Sequence, residues 1–428
     1  MTTQTPALPA TGTAPLGHLV LIGGALDESP TILGRVVALA GARRNTSAPR
    51  IAILTTASDP APSEAAAQDP AAESDETDGR YYAELFARHG AVGVPIPIGV
   101  SETPSYRGAQ YTRAQADSAA VAGLIREADG VFLGGGDQTH YVLALFRSVA
   151  TGEAPFHART ETPALAAIRE VLERGGVVAG TSAGLAVQQG EDMVSGGADI
   201  HNAWRFGPTP GYDRAVAGRD ALTHVPAGGL GLFSEALLDS HFSEWGRHAR
   251  AIRLARGLGR PLAVGVDEHT ALVYNRGSRT AEVIGSRGVS LLDLDGCEGE
   301  DDAVLGTRWN YLVPGDRHDF AARTTSRGSA IADLELPRTG DNGLGADIGN
   351  GADISDSADI WNDDGTRPLL ALAQAMLASG AISASGESSS ERAPVYRTSL
   401  RRDERTHALP TGGFSDLIIS ITPTPTTH

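Results

Sequence analysis

Ser182 lies in Gly180-Thr181-Ser182-Ala183-Gly184, directly after the apolar run 176–179. A serine on a sharp strand-to-helix turn needs small neighbours, because its backbone is strained and its Oγ must stand exposed. Such a hydroxyl is a candidate nucleophile for acyl transfer, and the next backbone N–H, that of Ala183, is positioned to receive an oxyanion. Gly-x-Ser-x-Gly arises readily by chance in a chain with 52 glycines, and alone it also reads as a turn carrying an inert serine. The apolar strand before it and the apolar continuation over 185–187 are what an elbow requires. A serine nucleophile needs a base, and the base needs an orienting carboxylate. Of twelve histidines, most lie in polar stretches, as His201, His248 and His428 do, where surface placement is the default. His241 differs: the apolar run 236–238 delivers it, and Phe242 follows. Glu268 likewise ends an apolar run, 262–266, within Gly265-Val266-Asp267-Glu268, a segment that unassisted reads as a strand-to-turn transition.

The elements around these residues alternate. Residues 18–22 form a short apolar run ending in Gly23-Gly24, 30–40 an amphipathic helix, and 50–54 a second strand. The stretch 59–79 is rich in Ala, Asp, Glu and Pro without apolar period and reads as a flexible loop insertion. A helix over 81–89, a strand over 92–98, a helix over 113–128 and a strand over 130–133 follow, the last running into Gly134-Gly135-Gly136. Thr162 caps a helix that reaches residue 174 and precedes the strand 176–179. Such alternation predicts βαβ units, hence an α/β fold with a mostly parallel sheet and helices on both faces. Chemistry in such sheets sits beyond the carboxyl ends of the strands. The segment 244–256 reads as an Arg-rich helix, while 270–274, 280–284 and 289–294 read as a run of antiparallel strands, with one more over 309–313. Farther on, a helix over 368–378 and apolar runs at 395–400 and 414–421 predict a tail that folds back on the main domain.

Bulk composition narrows the function. A chain of 428 residues allows two average domains or one large α/β domain with decorations. The formal charge is −17 and every basic residue is arginine, which argues against phosphate-backbone binding and leaves no lysine for a Schiff base or a Walker-type site. Cys297, the single cysteine, excludes an internal disulfide, and the acids around it disfavour a reactive thiolate. Residues 1–17 read as a disordered leader on a cytoplasmic protein, and no apolar stretch is long enough to span a membrane. Ala-Asp-Ile recurs at 346, 352 and 358 inside an acidic, Gly-rich loop, 326–366; its glycine spacing fits a metal-binding repeat poorly, so a solvated loop is expected.

Taken together, Gly180 to Gly184, Asp239-Ser240-His241-Phe242 with its following arginines, Gly265-Val266-Asp267-Glu268-His269-Thr270 and Gly135-Gly136-Asp137-Gln138 resemble cyanophycinase, within a group of serine exopeptidases that includes the aspartyl dipeptidases. Gly228-Gly229-Leu230-Gly231-Leu232 and Leu312-Val313-Pro314-Gly315-Asp316 fit as well, and the resemblance spans about 18–325. It implies a class I glutamine-amidotransferase-like sheet, a Ser182–His241–Glu268 triad, oxyanion N–H groups from Gly136 and Ala183, and a substrate pocket holding Gln138, Asp239, Arg247 and Arg250. Guanidinium groups there suit an aspartate carboxylate, because they donate bidentately and stay charged. The implied activity is hydrolysis of cyanophycin, the arginine-decorated polyaspartate, to β-aspartyl-arginine through an acyl-enzyme, with no metal or organic cofactor and with a homodimer left open. Trp245 stands where the family has its first arginine after the histidine, Ser240 replaces a frequent Gln, and about 199–227 is an insertion. These departures leave two alternatives open, an aspartyl dipeptidase of small acidic peptides and a non-catalytic peptide-binding descendant. The implied organisation is a leader (1–17), a catalytic domain (18–325), the acidic loop (326–366) and a C-terminal extension packing on the main domain (367–428).

Overall fold

The structure, a computed structural model, describes residues 16–26, 29–150, 156–211, 221–300, 302–328, 359–389 and 391–424. Most of the leader, the acidic loop with its repeats, and part of the insertion at 199–227 lie outside the described residues. Five parallel strands form half of a nine-stranded sheet, in the spatial order His18–Ile22, Val177–Thr181, Gly130–Leu133, Arg50–Leu54 and Val92–Pro95. Beyond His18–Ile22 the pairing turns antiparallel through Thr270–Asn275, Thr280–Gly285, Arg317–Asp319 and Thr324–Ser326. The architecture is mixed α/β.

Alternation along the strands explains why both faces are covered. Leu19, Leu21, Ala52 and Leu54 point into a core shared with the helices Ala119–Glu127 and Pro163–Glu173. Val20, Ile22, Ile51 and Ile53 point the other way, onto the helices Pro30–Ala42 and Asp75–Arg88. Each of these strand residues is fully buried, and at roughly 25 cal/mol per Å² of apolar area such two-sided burial is what holds short parallel strands in place.

A second sheet has its own core. Leu237–Asp239 pairs parallel with Leu262–Val266, and antiparallel pairing continues through Val289–Asp293, Val304–Leu312, Phe414–Pro423, Tyr396–Arg401 and Ser383–Glu387. Trp309 and Phe414 meet edge to face there, 4.8 Å between centroids, in a cluster that the helix Pro368–Ser379 covers with Leu369, Leu372 and Met376.

Two expectations change. The strands expected as one antiparallel run are divided between the sheets: Thr270–Asn275 and Thr280–Gly285 stay in the first, whereas Val289–Asp293 pairs with Leu262–Val266 in the second. Apolar alternation marks a strand but does not say which edge it will meet. The stretch 59–79 is also more ordered than its composition suggests. Ser63 caps a short helix, Glu64–Gln68, and Ser74 with Thr77 forms a reciprocal capping box that starts the helix Asp75–Arg88 six residues early. Threonine takes the place in that box usually held by Glu or Gln, which hides it from a pattern search.

Candidate active site

Ser182 follows the parallel strand Val177–Thr181 with φ +54° and ψ −112°, a conformation that non-glycine residues rarely adopt. Its N–H donates to Ile22 O at 3.0 Å, which pins the turn to the neighbouring strand. The flanking glycines are required sterically: a Cβ on Gly180 would sit 2.1 Å from Gly184 O, and one on Gly184 would sit 2.1 Å from Leu133 O. The chain therefore folds tightly enough to lift a single hydroxyl out of the sheet.

His241 and Glu268 arrive from the parallel strands of the second sheet. The loop after His18–Ile22 joins the two sheets here, since Gly23 O accepts from His241 N–H at 2.8 Å and Gly24 O accepts from His269 N–H at 3.0 Å. His241 Nε2 lies 2.8 Å from Ser182 Oγ, and its Nδ1 lies 2.9 Å from Glu268 Oε1. The structure thus brings all three expected side chains into one hydrogen-bonded line. His241 itself has φ +45°, and a Cβ on Gly24 would lie only 2.2 Å from its Cε1, so Gly24 gives the imidazole the room it occupies.

Electrostatics suit the arrangement. Burial lowers the His241 pKa, the Glu268 hydrogen bond raises it and Arg247 lowers it again, leaving it below the ordinary 6.5. Burial would raise the Glu268 carboxyl, but His241 and Arg287 outweigh that and hold it below its usual value, as an anion. Neutral imidazole beside carboxylate is the state in which a histidine can take a proton from a hydroxyl.

A cavity of about 980 Å³ opens over Ser182 and is bordered by Gly136, Gln138, Ala183, Asp239, Trp245, Arg247 and Arg250. Gly136 and Ala183, the expected oxyanion donors, both border this cavity. Gln138 Nε2 donates to Val194 O at 2.9 Å, which fixes its amide. Asp239 does not offer a free carboxylate to the cavity: Arg250 holds it from Nε (2.8 Å) and Nη2 (2.6 Å), and Arg247 Nη1 adds a third contact at 3.1 Å. Two cations against one anion leave a net positive charge at this end of the cavity, the sign a substrate carboxylate needs. Across Gly136, a second cavity of about 660 Å³ is bordered by Asp59, Glu73 and Asp78.

No family model matches the chain. It is 30% identical over 257 residues to a cyanophycinase of Trichormus variabilis and, to the same extent, to one of a Nostoc species, in each case across 58% of this chain and 72% of the relative. The chain belongs to the cyanophycinase family. A third cyanophycinase, from Geminocystis herdmanii, is 27% identical over 204 residues, 46% of this chain and 64% of that one. Among solved structures, a peptidase from an acI-B1 actinobacterium overlaps 65% of this chain and 91% of its own length at 19% identity, with a TM-score of 0.42. Membership of the cyanophycinase family makes the protein a peptidase.

Several residues of this cyanophycinase-family site carried no readable signal. Glu244, 2% exposed, accepts the backbone N–H of Glu268 at 3.1 Å, and Arg287 Nη1 bridges Glu244 Oε1 (2.7 Å) and Glu268 Oε2 (3.3 Å). Behind them Asp267 is buried, and burial together with Glu244 pushes its pKa up to about 7 while Tyr311 donates to it at 2.7 Å. The helix expected over 244–256 spans His248–Leu258, so Glu244 stands in the turn before it, and Arg287 stands in an unremarkable turn. His201 and His248 are not at the surface as their polar flanks suggest. His201 bonds Pro394 O at 2.8 Å, and His248 packs between Phe242 and Trp309. Flanking polarity does not report which helix face a residue occupies. Among the described residues no cluster of His, Cys, Asp and Glu is arranged to hold a metal ion, and no helix is long and apolar enough to cross a membrane.

Proposed function

We propose that Ser182, His241 and Glu268 are a catalytic triad that hydrolyses cyanophycin to β-aspartyl-arginine, as a serine-type exopeptidase. The observation that carries this reading is the continuous pair of contacts, 2.8 Å from Ser182 Oγ to His241 Nε2 and 2.9 Å from His241 Nδ1 to Glu268. His241 takes the Ser182 proton as Oγ attacks the scissile carbonyl carbon. The oxyanion falls to the N–H groups of Gly136 and Ala183, and Glu268 stabilises the imidazolium. The imidazolium then protonates the leaving amine, the C–N bond breaks, and an acyl-enzyme remains for water to cleave with His241 again as base. Arg247 and Arg250 supply the positive end for the aspartyl carboxylate, and the acid-bordered cavity beyond Gly136 complements guanidinium groups. In this reading the parallel strands are the glutamine-amidotransferase-like part of the fold. Residues 18–325 carry the chemistry, and 367–428 form a C-terminal extension whose described part packs on them.

Trp245 favours a second reading, an aspartyl dipeptidase, because an indole at the cavity rim replaces a cation that a polyacidic chain would use. Incubation of the purified protein with cyanophycin and, separately, with β-aspartyl dipeptides, followed by product analysis, separates the two. Release of β-aspartyl-arginine from the polymer supports the first. An inert polymer beside hydrolysed dipeptides replaces it with the second.

The pH dependence has a definite sign. His241 must be neutral to act as base, and its pKa lies below 6.5 because burial disfavours the cation. kcat/KM is therefore expected to stay high as pH drops to about 6.5 and to fall along one limb only beneath it. An acidic limb centred above neutrality would contradict the assignment of His241.

A further inference from the structure

We infer that Trp245 is a positioning residue for the general base, an inference that rests on the proposed triad. Its indole lies on the His241 imidazole with centroids 4.4 Å apart and planes within 16° of parallel. The two hydrogen bonds of His241 leave from opposite sides of the ring, to Ser182 and to Glu268. They fix a line through the imidazole but resist tilting about that line weakly, and a flat aromatic face against the ring is what opposes such a tilt. The backbone of His241 adds to the need, because its φ of +45° is one that a side-chain-bearing residue holds only when its surroundings enforce it.

The indole is itself held. The Trp245 backbone N–H donates to His241 O at 3.1 Å, closing the turn that folds one ring over the other. The Arg247 guanidinium carbon rests 4.4 Å from the Trp245 ring centroid, a cation–π contact on the same indole. The C-terminal segment braces the turn from behind: Gly365 N–H donates to Glu244 O at 3.0 Å, and a Cβ on Gly246 would strike Trp361 O at 2.4 Å. Trp245 nonetheless remains 41% exposed and borders the cavity over Ser182, so packing of the interior does not account for its placement. An indole face also favours a neighbouring cation, and His241 becomes one as it takes the serine proton.

The test is the rate at which a fluorophosphonate labels Ser182, measured as kinact and KI for the wild type, Trp245→Ala and Trp245→Phe. Alanine is expected to lower kinact about tenfold with KI changed less than about threefold, and phenylalanine to restore kinact to within about threefold of wild type. A change confined to KI would make Trp245 a wall of the cavity and overturn the inference. So would equal losses in both variants together with a lowered thermal midpoint, the mark of a purely structural role. Labelling needs no peptide, so an inert polymer removes the proposed substrate and leaves the labelling ratio to decide on Trp245. A wild type that is not labelled removes the triad and this inference together.

Discussion

Replacing Ser182 by alanine is expected to lower hydrolysis of aspartyl substrates by about 10⁴-fold or more and to abolish fluorophosphonate labelling, with the fold intact. Alanine keeps the Cβ and removes only Oγ, while the N–H bond to Ile22 and the tight approach of Gly184 to Leu133 do not depend on the hydroxyl. Residual turnover would come from the cavity and its N–H donors alone. Because nucleophile and base work as a unit, His241→Ala should cost a comparable factor, and the double variant little more than either single one. The measurement is turnover of cyanophycin or β-aspartyl dipeptides by each variant, with the circular dichroism spectrum as a check on folding. Substantial activity in the alanine variant would mean that another group attacks the carbonyl, and the 2.8 Å contact between Ser182 and His241 would have no catalytic meaning.

What the sequence makes legible here depends on how locally each signal is written. Ser182, His241 and Glu268 each follow an apolar strand, so the element that delivers the side chain is visible even when its destination is not. Their meeting depends on Gly23 and Gly24, whose carbonyls accept from His241 and His269 and so join the sheets; nothing in a Gly-Gly pair after a strand announces that role. The parallel half of the first sheet is equally legible, since two-sided burial turns its strands into near-continuous apolar runs. The second sheet is not, because strands far apart in the chain build it: Val304–Leu312 pairs with Phe414–Pro423. Glu244 and Arg287 fail for a related reason. Their value lies in contacts to Glu268 across 24 and 19 residues of sequence, and an acid and an arginine in turns look alike whether they face solvent or a carboxylate.

The arginines that follow His241 show how the same residues serve structure and chemistry. Asp239 is 6% exposed, and its two oxygens take three guanidinium contacts and the Ser240 N–H. Burial alone would raise its pKa, but Arg250 and Arg247 outweigh burial and hold it below the usual carboxylate value. Arg247 feels the opposite pressure: burial and the nearby Arg250 push its pKa down to about 9, with Asp239 working against them. Asp239→Ala removes the only carboxylate that the described contacts place between these two guanidiniums and leaves both cations buried and mutually repelling. Breaking a buried ion pair from one side typically costs about 3–5 kcal/mol, and the urea midpoint of the variant should fall accordingly at pH 7. The difference should also depend on pH. A carboxyl whose folded pKa is depressed contributes stability that is fully present above its unfolded value, near 3.8, and is lost as pH falls through the lower folded value. Wild type and variant should therefore converge only in strong acid. Asp239→Asn keeps the size but turns an amide toward donors that need an acceptor, so it should recover little of the loss. If Asp239→Ala were as stable as wild type at pH 7, the arginines would not depend on Asp239, and the positive charge assigned to this end of the cavity would need another explanation.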